Sequence, residues 1–232
     1  MPVYRLNQRP VFPPAYLAEK DNGLLAVGGD LSRERLLQAY SAGIFPWYSP
    51  GDPLLWWSPD PRALLFPEEF HLSRRNRRYL KNSGFSVRRD TAFAAVIKAC
   101  AETPRRHETG TWITPEMQAA YSDLHTAGYA HSIEIVQGHK LVGGLYGIGL
   151  GRCFFAESMF SIVDHASKAA LADLVSLAKR RNFHFIDVQF LTSHLKQFGV
   201  REISRREYLL RLERALKKPT ERNLWGTNNY RK

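Results

Sequence analysis

Three polar side chains sit where an apolar strand pattern has no use for them. In Phe183-His184-Phe185-Ile186-Asp187-Val188-Gln189-Phe190, alternation puts Phe185, Asp187 and Gln189 on one face and Ile186, Val188 and Phe190 on the other. Glu157 is embedded in Phe154-Phe155-Ala156-Glu157-Ser158-Met159-Phe160. A carboxylate in such company needs a cationic partner or it takes up a proton. These groups either satisfy one another and the backbone, or line a cleft. An internal salt bridge from Glu157 to one of the arginines is the structural alternative.

Other chemistries leave no trace. No His/Cys cluster has zinc spacing, and no nucleophile-elbow sequence occurs. Gly28-Gly29 lacks the Gly-Lys-Ser/Thr ending of a phosphate loop. Gly147-Ile148-Gly149-Leu150-Gly151 mimics a dinucleotide loop, but no helix follows, so it reads as strand with close backbone approach. Cys100 and Cys153 lie in apolar surroundings and read as buried small residues.

The elements that must position these groups follow from the pattern. A buried strand around Leu24–Val27 precedes a short helix capped by Ser32 and stopped by Gly43. The segment from Gly43 to Arg62 holds Trp47, Trp56 and Trp57 among many prolines, which argues against helix or central strand. Its rings either roof a core or offer flat surfaces for stacking. Asp90 is placed to cap a helix through Phe93, Val96, Ile97 and Cys100, and Thr114-Pro115 opens another that Gly128 stops. A hairpin over residues 132–147, a third strand over 152–160, a helix over 164–181 and a fourth strand over 183–190 give a mixed sheet. Ser204 and Glu207 form a capping box for a last helix, followed by a polar, loose tail after Pro219 that holds Trp225.

The chain has 232 residues, 44% of them hydrophobic, and a net charge of +11. It reads as a soluble cytoplasmic protein with no signal peptide and no apolar run near the roughly 20 residues of a membrane span. The cationic balance points to an anionic partner, nucleic acid rather than membrane, with a charge that only aids solubility as the alternative. Positive charge is densest over residues 71–89, where Arg74, Arg75, Arg77, Arg78, Lys81, Arg88 and Arg89 occur with no acid among them. They are candidates for nucleic-acid backbone contact, with a solvated helix face as the alternative.

Several runs, in order, resemble one family. They are Asn22-Gly23-Leu24-Leu25-Ala26-Val27-Gly28-Gly29-Asp30-Leu31, Gly43-Ile44-Phe45-Pro46-Trp47, Trp56-Trp57-Ser58-Pro59-Asp60-Pro61-Arg62 and Gly110-Thr111-Trp112-Ile113-Thr114. Glu157-Ser158-Met159-Phe160-Ser161, Ala166-Ser167-Lys168 and Ile186-Asp187-Val188-Gln189 complete the set. Together they resemble the bacterial leucyl/phenylalanyl-tRNA–protein transferases.

The resemblance implies a small N-terminal domain (residues 1–62) and a C-terminal acyltransferase domain of the GNAT type (residues 63–232), a mixed sheet flanked by helices. It implies an aminoacyltransferase that moves Leu or Phe, and weakly Met, from Leu-tRNA or Phe-tRNA to proteins beginning with Arg or Lys, marking them for N-degron degradation. Neither a metal nor any other cofactor is implied, and no membrane. Asp187 would orient and polarise Gln189, whose oxygen takes the amine proton, with the tRNA ribose hydroxyl as a competing acceptor. Glu157 would hold the acceptor's cationic side chain. Trp47 and Trp112 would contact the 3′-terminal adenosine, and Leu145, Phe154, Met159, Leu171, Leu174 and Ile186 would line the aminoacyl pocket. Trp56 and Trp57 would be structural. Two rivals stand beside this reading. An acetyl-CoA-dependent, RNA-binding GNAT-like acetyltransferase should show a pyrophosphate loop that is missing here. A non-enzymatic RNA-binding module leaves Glu157, Asp187 and Gln189 idle.

Overall fold

The computed structural model describes residues 3–103 and 111–222. Gly110 and Trp225 lie outside them.

Two sheets are built. The first is small and N-terminal, with strands β1 (Tyr4–Leu6), β2 (Leu24–Gly28), β3 (Phe45–Pro46) and β4 (Leu55–Trp57) in the order β1-β2-β4-β3. Helix α1 (Arg33–Ser41) leaves β2, with the Ser32 side chain accepting from the Arg35 amide. The proline-rich tract does therefore supply a central strand, against the expectation from its composition. Pro53 and Pro59 bracket β4 without entering it, and Pro46 sits on the edge strand β3, where a missing donor is tolerated.

The second sheet begins with β5 (Arg62–Leu65), followed by helix α2 (Arg74–Asn82), strand β6 (Phe85–Arg89), helix α3 (Phe93–Glu102) and helix α4 (Pro115–Thr126). Strands β7 (Ala130–Gln137), β8 (Lys140–Leu150) and β9 (Cys153–Ser161) form a meander, and helix α5 (Ala166–Arg180) crosses to β10 (Phe185–Gln189). A short helix α6 (Ser193–Lys196), strand β11 (Arg201–Ile203) and helix α7 (Arg205–Leu216) finish the described chain. The seven strands run in the order β11-β5-β10-β9-β8-β7-β6. Within this sheet β9 and β10 are the one parallel pair among the described residues, as a helical crossover between them requires. The architecture is the expected one: a small N-terminal unit and a mixed sheet flanked by helices.

Helix α5 covers one face of the large sheet, its Leu171 and Leu174 sharing an apolar cluster with Phe154 of β9 and Ile186 of β10. Helices α3, α4 and α7 cover the other, and the small sheet joins that side in one continuous apolar cluster that includes Trp56, Tyr40, Tyr121, Phe155 and Tyr208. Cys100 and Cys153 are both buried thiols, as their neighbours suggested. Gly147 is a true close approach: a Cβ there would meet the Phe155 carbonyl at 2.1 Å and the Phe154 ring at 2.5 Å.

Three local expectations change. Asp90 does not cap α3, whose N-cap is Ala92. At φ 53° it turns back and accepts from the Ser132 amide (2.7 Å) and the buried His131 (2.7 Å), pinning β6 to β7. Ser204 caps α7 through the Glu207 amide, but Glu207 spends its own carboxylate on Arg211 instead of completing the box. Residues 220–221 are tied down rather than loose: Thr220 accepts from the Gly151 amide, and Glu221 pairs with Arg152 and Arg181, both at 2.8 Å.

Candidate active site

Strand β10 carries the polar pair where the alternation put it, with one deviation. Phe185 and Asp187 face the α7 side, whereas Ile186 and Val188 join the α5 side. Between Asp187 and Gln189 the register with β5 shifts, and Gln189 takes φ 60°. The bulge re-aims the Gln189 side chain, and its Nε2 donates to Glu157 Oε1 on β9 at 3.1 Å.

Asp187 is fully buried. Arg62, equally buried, donates to it through Nε at 2.9 Å and Nη2 at 2.8 Å. The Tyr208 hydroxyl donates at 2.7 Å, and the Gln189 backbone amide at 3.0 Å. Asp187 therefore reaches Gln189 through its main chain, not its side-chain amide. The Arg62 guanidinium stays firmly protonated: burial opposes its charge, and the adjacent carboxylate outweighs that.

Among the described residues no arginine forms a salt bridge with Glu157. Tyr121 donates to its Oε2 at 2.9 Å, and the Tyr121 hydroxyl is itself hydrogen-bonded to that of Tyr40. Loss of solvent raises the carboxyl to about 7, with the nearby Asp187 charge adding to that; the tyrosine hydroxyls and Arg62 pull the other way. Burial, and secondly the Glu157 charge, hold both tyrosines well above the usual phenol range, so they remain donors.

Two adjoining hollows open onto this pair. One, of about 230 Å³, is walled by Phe45, Pro46, Trp47, Trp112 and Phe190. The other, of about 220 Å³, is walled by Leu145, Ala156, Ser158 and Met159. Both share Trp112, Glu157, Val188, Gln189 and Leu195. Trp47 is 41% exposed, and its backbone carbonyl is held by the Trp57 indole at 2.6 Å. Trp56 is fully buried and donates to the Gly28 carbonyl at 2.8 Å. Of the six aminoacyl-pocket candidates, Leu145 and Met159 line the second hollow. Phe154, Leu171, Leu174 and Ile186 are buried in the apolar cluster that Leu145 also joins.

Arg74, Arg75, Arg77, Arg78 and Lys81 are exposed along α2, and Arg88 on the edge strand β6. Arg74, Arg75 and Arg78 line an open basin of about 700 Å³ with Tyr79, Asn82 and Ser83. Arg89 differs, being bound in a two-pronged pair to Asp173 on α5 at 2.6 and 2.7 Å. Among the described residues no group of three His, Cys, Asp or Glu side chains is placed to hold a metal, and no helix is long and apolar enough to cross a membrane.

Sequence reasoning missed Arg62, Tyr208, Tyr40 and Tyr121 as site residues. Each was visible only as part of a motif or an apolar helix stripe. The sole hint was the polar tip that each carries into a fully buried position.

Residues 64–213 match the family model for leucyl/phenylalanyl-tRNA protein transferase, and residues 29–60 match the model of its N-terminal domain. The leucyl/phenylalanyl-tRNA–protein transferase of Syntrophus aciditrophicus (strain SB) is 54% identical over 98% of this chain and 95% of its own. That of Azotobacter vinelandii is 56% identical over 85% of this chain and 87% of its own. Among solved structures, L-PGS from Bacillus licheniformis overlays 83% of this chain and 73% of its own with a TM-score of 0.44 at 10% identity, too loose to argue from. The sequence matches make the chain an aminoacyltransferase. It belongs to the leucyl/phenylalanyl-tRNA–protein transferase family.

Proposed function

We propose that this enzyme transfers Leu or Phe, and weakly Met, from an aminoacyl-tRNA to proteins whose first residue is Arg or Lys. This would take place in the cytoplasm and commit those proteins to N-degron degradation. The observation that carries the reading is the junction itself: an aromatic hollow and an aliphatic hollow meet at one side-chain amide and one carboxylate that is in no salt bridge among the described residues.

In this reading Trp47 and Trp112 take the 3′-terminal adenosine in the aromatic hollow. Leu145 and Met159 receive the aminoacyl side chain, with Phe154, Leu171, Leu174 and Ile186 shaping the wall from behind. Met159, unbranched and polarizable, would let that lining adapt to Leu, Phe and Met alike. Glu157, ionised, receives the guanidinium or ammonium of the acceptor's first residue. The α-amine, with a reference pKa of about 7.7–8.0, attacks the ester carbonyl held beside it. The new C–N bond forms as the C–O bond to the tRNA ribose breaks. The amine's proton ends on the departing ribose oxygen, directly or past Gln189 Oε1, which takes no hydrogen bond among the described residues. The donor is already an activated ester, so positioning supplies much of the rate without a covalent nucleophile. Arg74, Arg75, Arg77, Arg78, Lys81 and Arg88 would contact the tRNA backbone, Arg89 only where its pair with Asp173 allows. Residues 1–62 would form the N-terminal domain and 63–232 the acyltransferase domain.

The test is transfer of radiolabelled Leu from Leu-tRNA to peptides that differ only in their first residue. Label should enter peptides starting with Arg or Lys and not those starting with Ala or Glu. Equal labelling of all four, or of none while the tRNA binds, overturns the assignment.

A further inference from the structure

We propose that Arg62 and Tyr208 are positioning residues that lock Asp187 into a turn fixing the Gln189 backbone, and thereby place the amide that meets Glu157. The proposal deepens the acyl-transfer reading above and rests on it.

The Asp187 carboxylate has no capacity left for the Gln189 side chain. Its Oδ1 accepts Arg62 Nε and the Gln189 amide two residues on; its Oδ2 accepts Arg62 Nη2 and the Tyr208 hydroxyl. A side chain that accepts from the amide two positions ahead forms an Asx turn, and this one stabilises an unusual backbone. Gln189 holds φ 60°, a region that side chains other than Gly, Asn and Asp seldom occupy. That conformation coincides with the register shift against β5, and it turns the side chain toward β9. An aspartate free to rotate would leave the turn without its acceptor, and the amide without its aim.

Arg62 ties this turn to the opposite wall of the cleft. Its Nη1 donates to the Gly43 carbonyl at 3.3 Å. Its guanidinium lies 4.7 Å from the centre of the Phe45 ring, which lines the aromatic hollow, and 4.6 Å from that of Tyr208. Gly43 permits the arrangement: at φ 76°, a Cβ there would approach Tyr208 Cε1 to 2.8 Å. One buried cation thus sets the distance between the stacking wall and the Gln189 amide. Segments 125 and 146 residues away from Arg62 converge on it.

Tyr208→Phe keeps the ring and its packing and removes one donor. Arg62→Lys keeps the charge and loses the fork that grips both oxygens. Displacement of a reacting group by about 1 Å costs on the order of 100-fold in rate. We expect kcat to fall about tenfold in Tyr208→Phe and about 100-fold in Arg62→Lys, with KM for the donor tRNA within about twofold of wild type. The deciding measurement is the same Tyr208→Phe change in a Gln189→Ala background. If Tyr208 acts through Gln189, the tenfold loss disappears there; an equal loss in both backgrounds overturns the proposal. Hydrogen exchange at the Gln189 amide reads the lock without any reaction. Faster exchange in Tyr208→Phe, with neighbouring β10 amides unchanged, supports it, and unchanged exchange overturns it. Should Arg62→Lys fail to fold, Tyr208→Phe decides alone. Should the wild type label no Arg-initiated peptide, the acceptor reading is lost while the exchange comparison still decides the lock.

Discussion

Gln189 and Glu157 are joined across 3.1 Å, from β10 to the neighbouring parallel strand β9, on the wall that both hollows of the cleft share. The amide is a neutral donor, so it steadies the carboxylate without neutralising it. Among the described residues no cation pairs with Glu157, and in the proposed reaction the acceptor would bring one.

Truncating that charge should therefore act on the acceptor. Glu157→Gln keeps the size and the hydrogen bond to Gln189 and removes the charge. A hydrogen bond to a charged group is worth about 1.5–3 kcal/mol, which corresponds to roughly 10- to 150-fold in KM for an Arg-initiated peptide. Tyr121→Phe should move the same constant less, because one of two donors remains. Steady-state kinetics with donor tRNA held saturating separate this from a loss of tRNA binding, which should be unchanged.

The carboxyl lies at about 7 in the free enzyme, against an ordinary 4.5. Its folded value is raised, so the native state holds a proton that the unfolded chain has released between these limits. Stability contributed by the neutral form is then present below about 4.5 and declines as pH rises through about 7. The whole effect amounts to roughly 3 kcal/mol at most, at about 1.4 kcal/mol per unit. Urea midpoints measured from pH 5 to 8 should fall in the wild type relative to Glu157→Gln. Acceptor affinity should move oppositely, tightening as pH rises through 7, because only the ionised carboxylate attracts the cation. A bound Arg-initiated peptide should lower the transition, since a neighbouring positive charge favours ionisation.

Trp47 and Trp56 should separate cleanly. Trp56→Ala empties a fully buried site and strands the Gly28 carbonyl, which predicts about 3–5 kcal/mol of lost stability. Trp47→Ala removes a ring that is 41% exposed, so the melting temperature should barely change. Donor affinity should instead fall by the 1–3 kcal/mol typical of one base–aromatic stack, about 5- to 150-fold. Thermal melts beside filter binding of aminoacyl-tRNA check both. A stable Trp47→Ala enzyme that binds donor normally would remove that ring from the site.

The sequence made Asp187, Gln189 and Glu157 legible because a polar group inside an apolar strand stands out against a period of two. Strands β2 and β7 to β10 were legible from their apolar runs, and helices α1, α4 and α7 from Ser32, Thr114 and Ser204 at their caps, whereas the short strands β5, β6 and β11 were not read. What surrounds those three residues was not. Tyr40, Tyr121 and Tyr208 fall on apolar helix stripes, and their rings do pack in the core; only chain closure shows where each hydroxyl points. Arg62 lies 125 residues from Asp187, and no local pattern links them. The bulge at Gln189 was hidden as well, since no Gly or Asn marks its left-handed backbone. The small sheet was misread because prolines near a strand were weighed as prolines inside it.

The basic helix offers a test that does not depend on the chemistry of the cleft. Arg74, Arg75 and Arg78 converge on one open basin, and no acidic side chain among the described residues pairs with them. Arg89 is the internal control, because its charge is already matched by Asp173. Each phosphate neutralised contributes about 0.9 to the slope of log affinity against log salt for duplex nucleic acid and about 0.7 for a single strand. Replacing the three basin arginines by Ala should therefore flatten the slope for tRNA by about 2–3 and weaken binding at low salt, while the kcat of bound donor changes little. Arg89→Ala should leave the slope nearly intact and lower stability instead, since it leaves the partly buried Asp173 without its partner. If the triple variant kept the wild-type slope, the tRNA backbone would have to lie elsewhere on this +11 surface.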